Sequence, residues 1–230
     1  MDKLKDQIQS AVNVYKSGNL SKAEQVSKKL INANPNVTFL YNLLGLILTG
    51  QKKLDEAIEY YNKGLKIDPG FAMIYNNLGL IYYKKQSSDS FKKAEDYFKK
   101  SISLDGKIYE PHVNLGNLYK SLKRFEDAID CYKKAIENNP KSSFTHHNLA
   151  NTYITVGKFN QATEHFNEAI KISPNFGLAH RGLSRIIKYD KNNKHFNELI
   201  RIYKDTDIKD SANKMELAFS LGKAYEDIKN

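Results

Sequence analysis

Helix-stopping prolines at a fixed distance constrain this chain more than any other feature. Pro35, Pro69, Pro140 and Pro174 stand 34, 71 and 34 residues apart, and the middle step is two units plus three extra residues. Gly106 marks the break inside that step, in the setting LDGK that matches IDPG around Pro69. A second ruler is independent of the prolines. Ala11 and Ala23, Gly45 and Ala57, Gly116 and Ala128, Ala150 and Ala162 are each 12 apart, whereas Gly79 and Ala94 are 15 apart. The difference places a three-residue insertion in the turn around Lys85–Ser90. A chain with a fixed period of this length builds its core by stacking like units on one another.

The stretch from Tyr109 to Ser142 shows what one unit is. Its first half predicts an amphipathic helix from Pro111 to about Leu122, with Leu115, Gly116 and Tyr119 on one face. Its second half predicts a helix from Phe125 to about Asn138, where Ala128, Tyr132 and Ala135 recur at the spacing of a helix face. Pro111 sits in a first turn, where a missing N–H costs little, and Pro140 stops the second helix. Small residues at Gly116 and Ala128 let the two backbones approach, with Tyr119 and Tyr132 filling the space around them.

These units resemble tetratricopeptide repeats, whose pattern is a large residue, Leu-Gly, Tyr, Ala, an aromatic, Ala and Pro. The third unit reads Tyr75, Leu78, Gly79, Tyr82, Ala94, Phe98. The fourth reads His112, Leu115, Gly116, Tyr119, Ala128, Tyr132, Ala135, Pro140, and the fifth His146, Leu149, Ala150, Tyr153, Ala162, Phe166, Ala169, Pro174. The first departs, with Val14 in the Tyr slot and Ser27 in the aromatic slot, as a terminal repeat can. The resemblance implies an all-α, right-handed superhelical solenoid of helix-turn-helix repeats. Five repeats are expected over 4–176 (4–37, 38–71, 72–108, 109–142 and 143–176), then a degenerate sixth repeat and connector over 177–214. Residues 215–230 are read as the first helix of an incomplete seventh repeat.

Within the degenerate part, a helix carries His180, Leu183 and Ile187, followed by a polar stretch from Tyr189 to Lys194 and a short helix from His195 to about Lys204. A turn or loop is expected over Asp205–Lys209. From Met215 the pattern restarts, with Leu221, Gly222 and Tyr225 in the Leu-Gly-Tyr slots. A repeat broken in its middle leaves an apolar face, and two readings stand: a longer polypeptide or a lone capping helix. Pairing of that face with a second copy is a further expectation.

Composition narrows the function classes. The net charge is +10 over 230 residues. Lysine pairs such as Lys28-Lys29, Lys52-Lys53 and Lys99-Lys100 are interleaved with acids, however, which reads as solvated outer faces and not as a nucleic-acid site. A single cysteine, Cys131, excludes an internal disulfide framework and a cysteine-rich metal site. The apolar run Leu43–Leu48 is too short to cross a bilayer, and Met1-Asp2-Lys3-Leu4 leads into a polar amphipathic helix with no secretory signal, so a cytoplasmic location is expected. No Gly-rich phosphate loop, G-x-S-x-G or H-E-x-x-H occurs, so no catalytic role and no cofactor is expected. His112, His146 and His180 recur every 34 residues. Metal ligands lie about 2 Å from one ion, whereas neighbouring packed helices are roughly 8–10 Å apart. These histidines share a slot with Tyr41 and Tyr75, so they read as packing residues, and no metal site is expected.

The candidate binding face is the inner face of the first helices, which in the resembled family lines a concave groove. Asn77, Asn114 and Asn148 each stand directly before the Leu of their unit, and Asn117 and Asn151 repeat one turn later. An asparagine offers an acceptor and two donors, so a ladder of them holds a peptide backbone without reading its side chains. The other reading is local, with each amide bonding to a neighbouring helix. The tetratricopeptide arm of O-linked N-acetylglucosamine transferases carries a comparable ladder, and the resemblance favours the groove. Arg181, Arg185 and Lys188, spaced four and three apart, are expected to share a helix stripe with Lys120 in the corresponding register. Such a stripe suits an acidic peptide or a phosphate, or else is simply solvated. The chaperone-tail clamp of some family members needs Lys and then Asn four residues on. Here Val113 pairs with Asn117 and His147 with Asn151, so that clamp is not reproduced.

Two functions follow. The first is a protein-interaction scaffold that holds an extended, acidic peptide or protein segment in the groove, with no membrane partner. The alternative is the substrate-recruiting arm of a longer enzyme. Leu183, Ser184, Arg185, Leu217, Ala218, Leu221, Gly222, Lys223, Ala224, Tyr225, Glu226 and Asp227 resemble the junction of bacterial tetratricopeptide-repeat sulfotransferases. That resemblance implies a following domain that uses phosphoadenosine phosphosulfate.

Overall fold

The computed structural model describes residues 2–204 and 211–229, and the turn expected over Asp205–Lys209 lies outside the described residues. Every element among the described residues is helical: α1 (Asp2–Lys16), α2 (Leu20–Ala33), α3 (Thr38–Gly50), α4 (Leu54–Ile67), α5 (Ala72–Lys85), α6 (Ser88–Leu104), α7 (Tyr109–Ser121), α8 (Phe125–Asn138), α9 (Ser143–Thr155), α10 (Phe159–Ile172), α11 (Gly177–Ser184), α12 (Lys194–Lys204) and α13 (Ser211–Lys229). Two compact units divide the chain between Asn114 and Leu115.

The breaks between hairpins follow from the sequence. Asn34, Asp68, Asn139 and Ser173 cap α2, α4, α8 and α10 in non-helical backbone, with φ of −141°, −134°, −140° and −134°. Each precedes a proline, whose ring excludes the helical conformation from the residue before it. Asp105 takes the same conformation before Gly106, with φ −147°. Within each hairpin the turn needs one left-handed residue. Gly18 and Gly157 supply it without strain, while Lys52, Gln86 and Lys123 adopt it with φ of 64°, 49° and 59°.

In the first unit α1–α6 pair as hairpins around a core that includes Leu40, Leu44, Ile47, Tyr61, Ile74, Leu78 and Ile81. The expected slots are filled as the pattern implies. A Cβ on Gly79 would lie 2.6 Å from the ring of Phe98, which is fully buried, so only glycine admits that ring. One expectation changes here. The three inserted residues do not lengthen the turn; α6 has 17 residues against 14 for α4, because Ser87 caps the helix early and exchanges bonds with Ser90.

In the second unit Tyr132 of α8 packs against Gly116 of α7, and Phe166 of α10 packs against Gly182 of the following helix, α11. The packing slot also recurs in detail. The Tyr41 hydroxyl donates to the carbonyl six residues back, on Pro35, at 2.9 Å. The Nε2 of His112, His146 and His180 meets the equivalent carbonyls of Gly106, Pro140 and Pro174 at 3.1, 3.1 and 2.7 Å.

The degenerate end is more ordered than its polar sequence implies. Tyr189, expected in a polar connector, is buried with Phe196, Leu199, Ile202, Leu217, Leu221 and Ala224. Its hydroxyl bonds Ser184 at 2.6 Å and His195 at 2.7 Å, and its N–H donates to Asp227 at 3.2 Å. Those contacts turn the chain back sharply, and α11 ends at Ser184 with Arg185 as its cap. Arg181, Arg185 and Lys188 therefore do not share a helix stripe.

Candidate functional site

The asparagine ladder exists, and its parts differ in role. In the first unit Asn77 donates Nδ2–H to Asn42 Oδ1 at 2.8 Å and accepts from Asn76 at 3.4 Å. Both of its ends are engaged and it is buried, so the expected backbone-binding role does not hold at this position. The neighbouring helix places an amide opposite it, and an unpaired buried amide would be costly. Asn114 donates to Asn76 Oδ1 at 2.8 Å by the same geometry. Asn42 and Asn76 were not among the expected ladder residues, although their own 34-residue spacing was available in the sequence.

The register position that would face Asn148 in this way is held by Val113, whose side chain has no acceptor. Asn148 instead donates to Asn117 Oδ1 at 3.2 Å, an oxygen that also accepts from the Tyr132 hydroxyl at 2.7 Å. Asn117 thus acts as a joint between α7, α8 and α9. Asn151 donates Nδ2–H both to His147 Nε2 at 2.9 Å and to the His147 carbonyl at 3.0 Å. The shared outcome is an orientation. Asn148 and Asn151, both half-buried, each hold an amide N–H on a neighbour, which orients their side chains.

Lys120 stands beside this cluster at the end of α7. It is half-buried and forms no ion pair among the described residues, and burial pulls its ammonium below the usual lysine range. Burial also lowers His147, opposed by the Asn148 amide beside it and reinforced by the charge of Lys120. His147 is therefore a neutral ring at physiological pH. Its aromatic neighbours extend the surface: the His147 ring lies 5.3 Å from Phe176, which lies 4.7 Å from Phe144. Phe144 is 64% exposed. A cavity of about 380 Å³ opens there, lined by Phe144, Phe176, Leu178, Asn213 and Glu216 among others. Neither Phe144 nor Phe176 was an expected site residue; their signal was two aromatics outside the repeat's packing slots.

The basic stripe is altered. Arg181 is engaged by Glu216 at 2.7 Å and stacks its guanidinium over Phe219 at 4.8 Å. Arg185 and Lys188 lie beyond the end of α11, with Arg185 exposed. The second unit thus offers a half-buried cation, two oriented amides and an aromatic pair.

No group of three or more potential metal-ligating side chains occurs among the described residues. No described helix is long and apolar enough to cross a membrane.

Similarity to known proteins agrees with the fold. Several solved structures share it. A PilF protein of Pseudomonas aeruginosa is 16% identical with TM-score 0.72, covering 98% of this chain and 93% of that one. A thermophilic tetratricopeptide-repeat protein of Thermus thermophilus is 17% identical with TM-score 0.66, covering 79% and 97%. YrrB, described as a repeat protein with an unusual peptide-binding site, is 20% identical with TM-score 0.54, covering 75% and 88%. No curated protein matches the sequence. Family models described as tetratricopeptide repeat match residues 72–108, 109–142 and 131–164, and one described as TPR repeat matches 45–86. Together these run without a gap from residue 45 to residue 164, more than half of the chain, and with the helical hairpins they show that the chain belongs to the tetratricopeptide-repeat family.

Proposed function

We propose that this protein is an interaction scaffold whose second unit holds an extended, acidic peptide segment. The observation that carries the reading is the common orientation of Asn148 and Asn151 beside Lys120. With an amide donor of each held by the protein, their oxygens act as acceptors for peptide N–H groups, and the half-buried ammonium supplies a strong donor for a carboxylate. Phe144 and Phe176 add an apolar seat for a side chain. Binding on such a prepared face requires no catalysis, since its free energy comes from contacts whose ordering cost the fold has already met. The same geometry accounts for selectivity: a basic peptide would leave Lys120 desolvated against like charge.

The sulfotransferase-arm reading rests on the resemblance of residues between Leu183 and Asp227. Here Leu221 and Ala224 are core, and Asp227 bonds Tyr189 and pairs with Lys223. These residues hold the end of the unit together, which is a role independent of any following domain.

The test is a peptide array probed with the purified protein, followed by fluorescence polarisation with an acidic peptide the array selects. Lys120→Ala is expected to weaken binding about tenfold, the loss of one charge-assisted contact worth ~1.4 kcal/mol, with helicity unchanged. Equal affinity of the variant would refute the reading.

A further inference from the structure

His147 and Asn151 stand one turn apart on α9, and their bonds fix each other's orientation. The Asn151 amide nitrogen lies 2.9 Å from His147 Nε2 and 3.0 Å from the His147 carbonyl oxygen. A carbonyl only accepts, so the group beside it is the amide N–H pair and not the amide oxygen. Nε2 then accepts as well, and the neutral ring carries its proton on Nδ1. That arrangement does not admit a second proton on the ring. A protonated Nε2 would point its N–H at the Asn151 N–H pair, donor against donor. Turning the amide over would serve Nε2 but set the amide oxygen against the carbonyl. Protonation of His147 therefore releases the Asn151 amide from at least one of its two bonds.

The surroundings decide what the extra charge costs. The helix α7 brings the Lys120 ammonium, whose charge opposes a proton on the ring. From α8 comes the Tyr132 hydroxyl, already held on Asn117 at 2.7 Å. Phe166 of α10 and Phe176 in the turn before α11 add rings 5.9 and 5.3 Å away, neither of which titrates. Arg181 of α11 is paired with Glu216 of α13 at 2.7 Å. On α9 itself the Asn148 side chain lies beside the ring and favours the proton. Among the described residues no carboxylate pairs with His147 or Lys120. A negative charge is what the free protein lacks here.

We propose that His147 and Asn151 form a proton-operated switch in the peptide face: an acidic segment binds with uptake of a proton on His147, which adds a second positive charge beside Lys120 and frees the Asn151 amide to turn toward the segment. This inference rests on the scaffold reading above. The carboxylates of the bound segment supply the charge that balances the ring. Linkage sets the sign, since a group that gains a proton on binding makes binding tighter as pH falls through its range. Burial lowers His147 in the free protein, so the effect develops below neutrality.

The test is fluorescence polarisation of the array-selected acidic peptide, with the whole protein and its His147→Gln variant. Between about pH 7.5 and about pH 5.5 the wild type is expected to bind at least about threefold tighter, and the variant equally at both. A peptide with its acids changed to amides gains nothing in either protein. Equal tightening in His147→Gln, or none in the wild type, would overturn the proposal. A second readout needs no peptide. In nitrogen–proton correlation spectra of the free protein, the Asn151 side-chain pair, assigned by its absence in Asn151→Asp, is expected to shift along the same titration curve as the His147 ring protons. A titrating His147 beside a stationary Asn151 pair would also overturn it. Absence of acidic-peptide binding at either pH would sink the scaffold reading and the coupling with it, whereas the amide spectrum would still show whether the pair switches.

Discussion

Glycine to alanine at two matched positions should change stability in opposite directions. Gly116 and Gly222 both lie inside helices, and in both an alanine gains about 1 kcal/mol of helix propensity. That gain is common to the pair, so the difference between the variants isolates what the new methyl meets. At Gly116 it would lie 2.7, 2.9 and 3.1 Å from three carbons of the Tyr132 ring. The ring is fully buried and its hydroxyl is tied to Asn117 at 2.7 Å, so it cannot withdraw without losing a hydrogen bond. Overpacking of this kind costs about 1–3 kcal/mol, and the strained hydrogen bond about 1 more. Gly116→Ala is therefore expected to destabilise by about 1–3 kcal/mol net, lowering Tm by roughly 2–12 °C for a chain of this size. Gly222→Ala has no neighbour to meet and is expected to raise stability by up to about 1 kcal/mol. Thermal melts followed by circular dichroism read both shifts. Equal stabilisation by the two substitutions would refute the assignment of Gly116 as an aromatic seat.

Three further outcomes are expected. Asn77→Ala leaves Asn42 and Asn76 with unmatched buried amide groups and should cost about 1–3 kcal/mol in urea unfolding without affecting peptide affinity. Burial, and then the charge of His180, lowers His195 from 6.5 to about 3, so it is neutral in the fold and protonates on unfolding. Its contribution is complete above pH about 6.5 and is lost as pH falls toward 3, at about 1.4 kcal/mol per pH unit, or about 2 kcal/mol by pH 5. His165 and His180 are lowered in the same direction, so they add to the slope; His195→Phe should flatten the curve of unfolding free energy against pH, whatever its stability at pH 7. Lys123→Gly relieves a left-handed residue at φ 59° and should raise the midpoint of urea unfolding, by roughly 0.5–1 kcal/mol of stability.

The hairpins were legible because their signals are local and repeated. A proline fixes the residue before it, and a glycine or alanine in the slot admits one aromatic, so Pro140, Gly116 and Tyr132 each announce a contact within their own unit. The slot shared by Tyr41, His112, His146 and His180 was legible for the same reason. The ladder was less so. Whether an asparagine faces a ligand or a neighbouring helix depends on what the preceding repeat offers: Asn42 engages Asn77, whereas Val113 cannot engage Asn148. Spacing along one helix does not contain that information. The basic stripe failed because helix periodicity applies only while the helix lasts. Tyr189 turns the chain at Ser184, and nothing in the sequence YDKNNK marks its first residue as core.

The most direct test of the scaffold account is position-specific photocrosslinking. Benzoylphenylalanine at Ile154, one turn beyond Asn151 on α9, is compared with the same group at Lys133 on the exposed side of α8, each with the array-selected acidic peptide. The account predicts capture of the peptide at residue 154 and none at 133. Capture at 133 with none at 154 would contradict it.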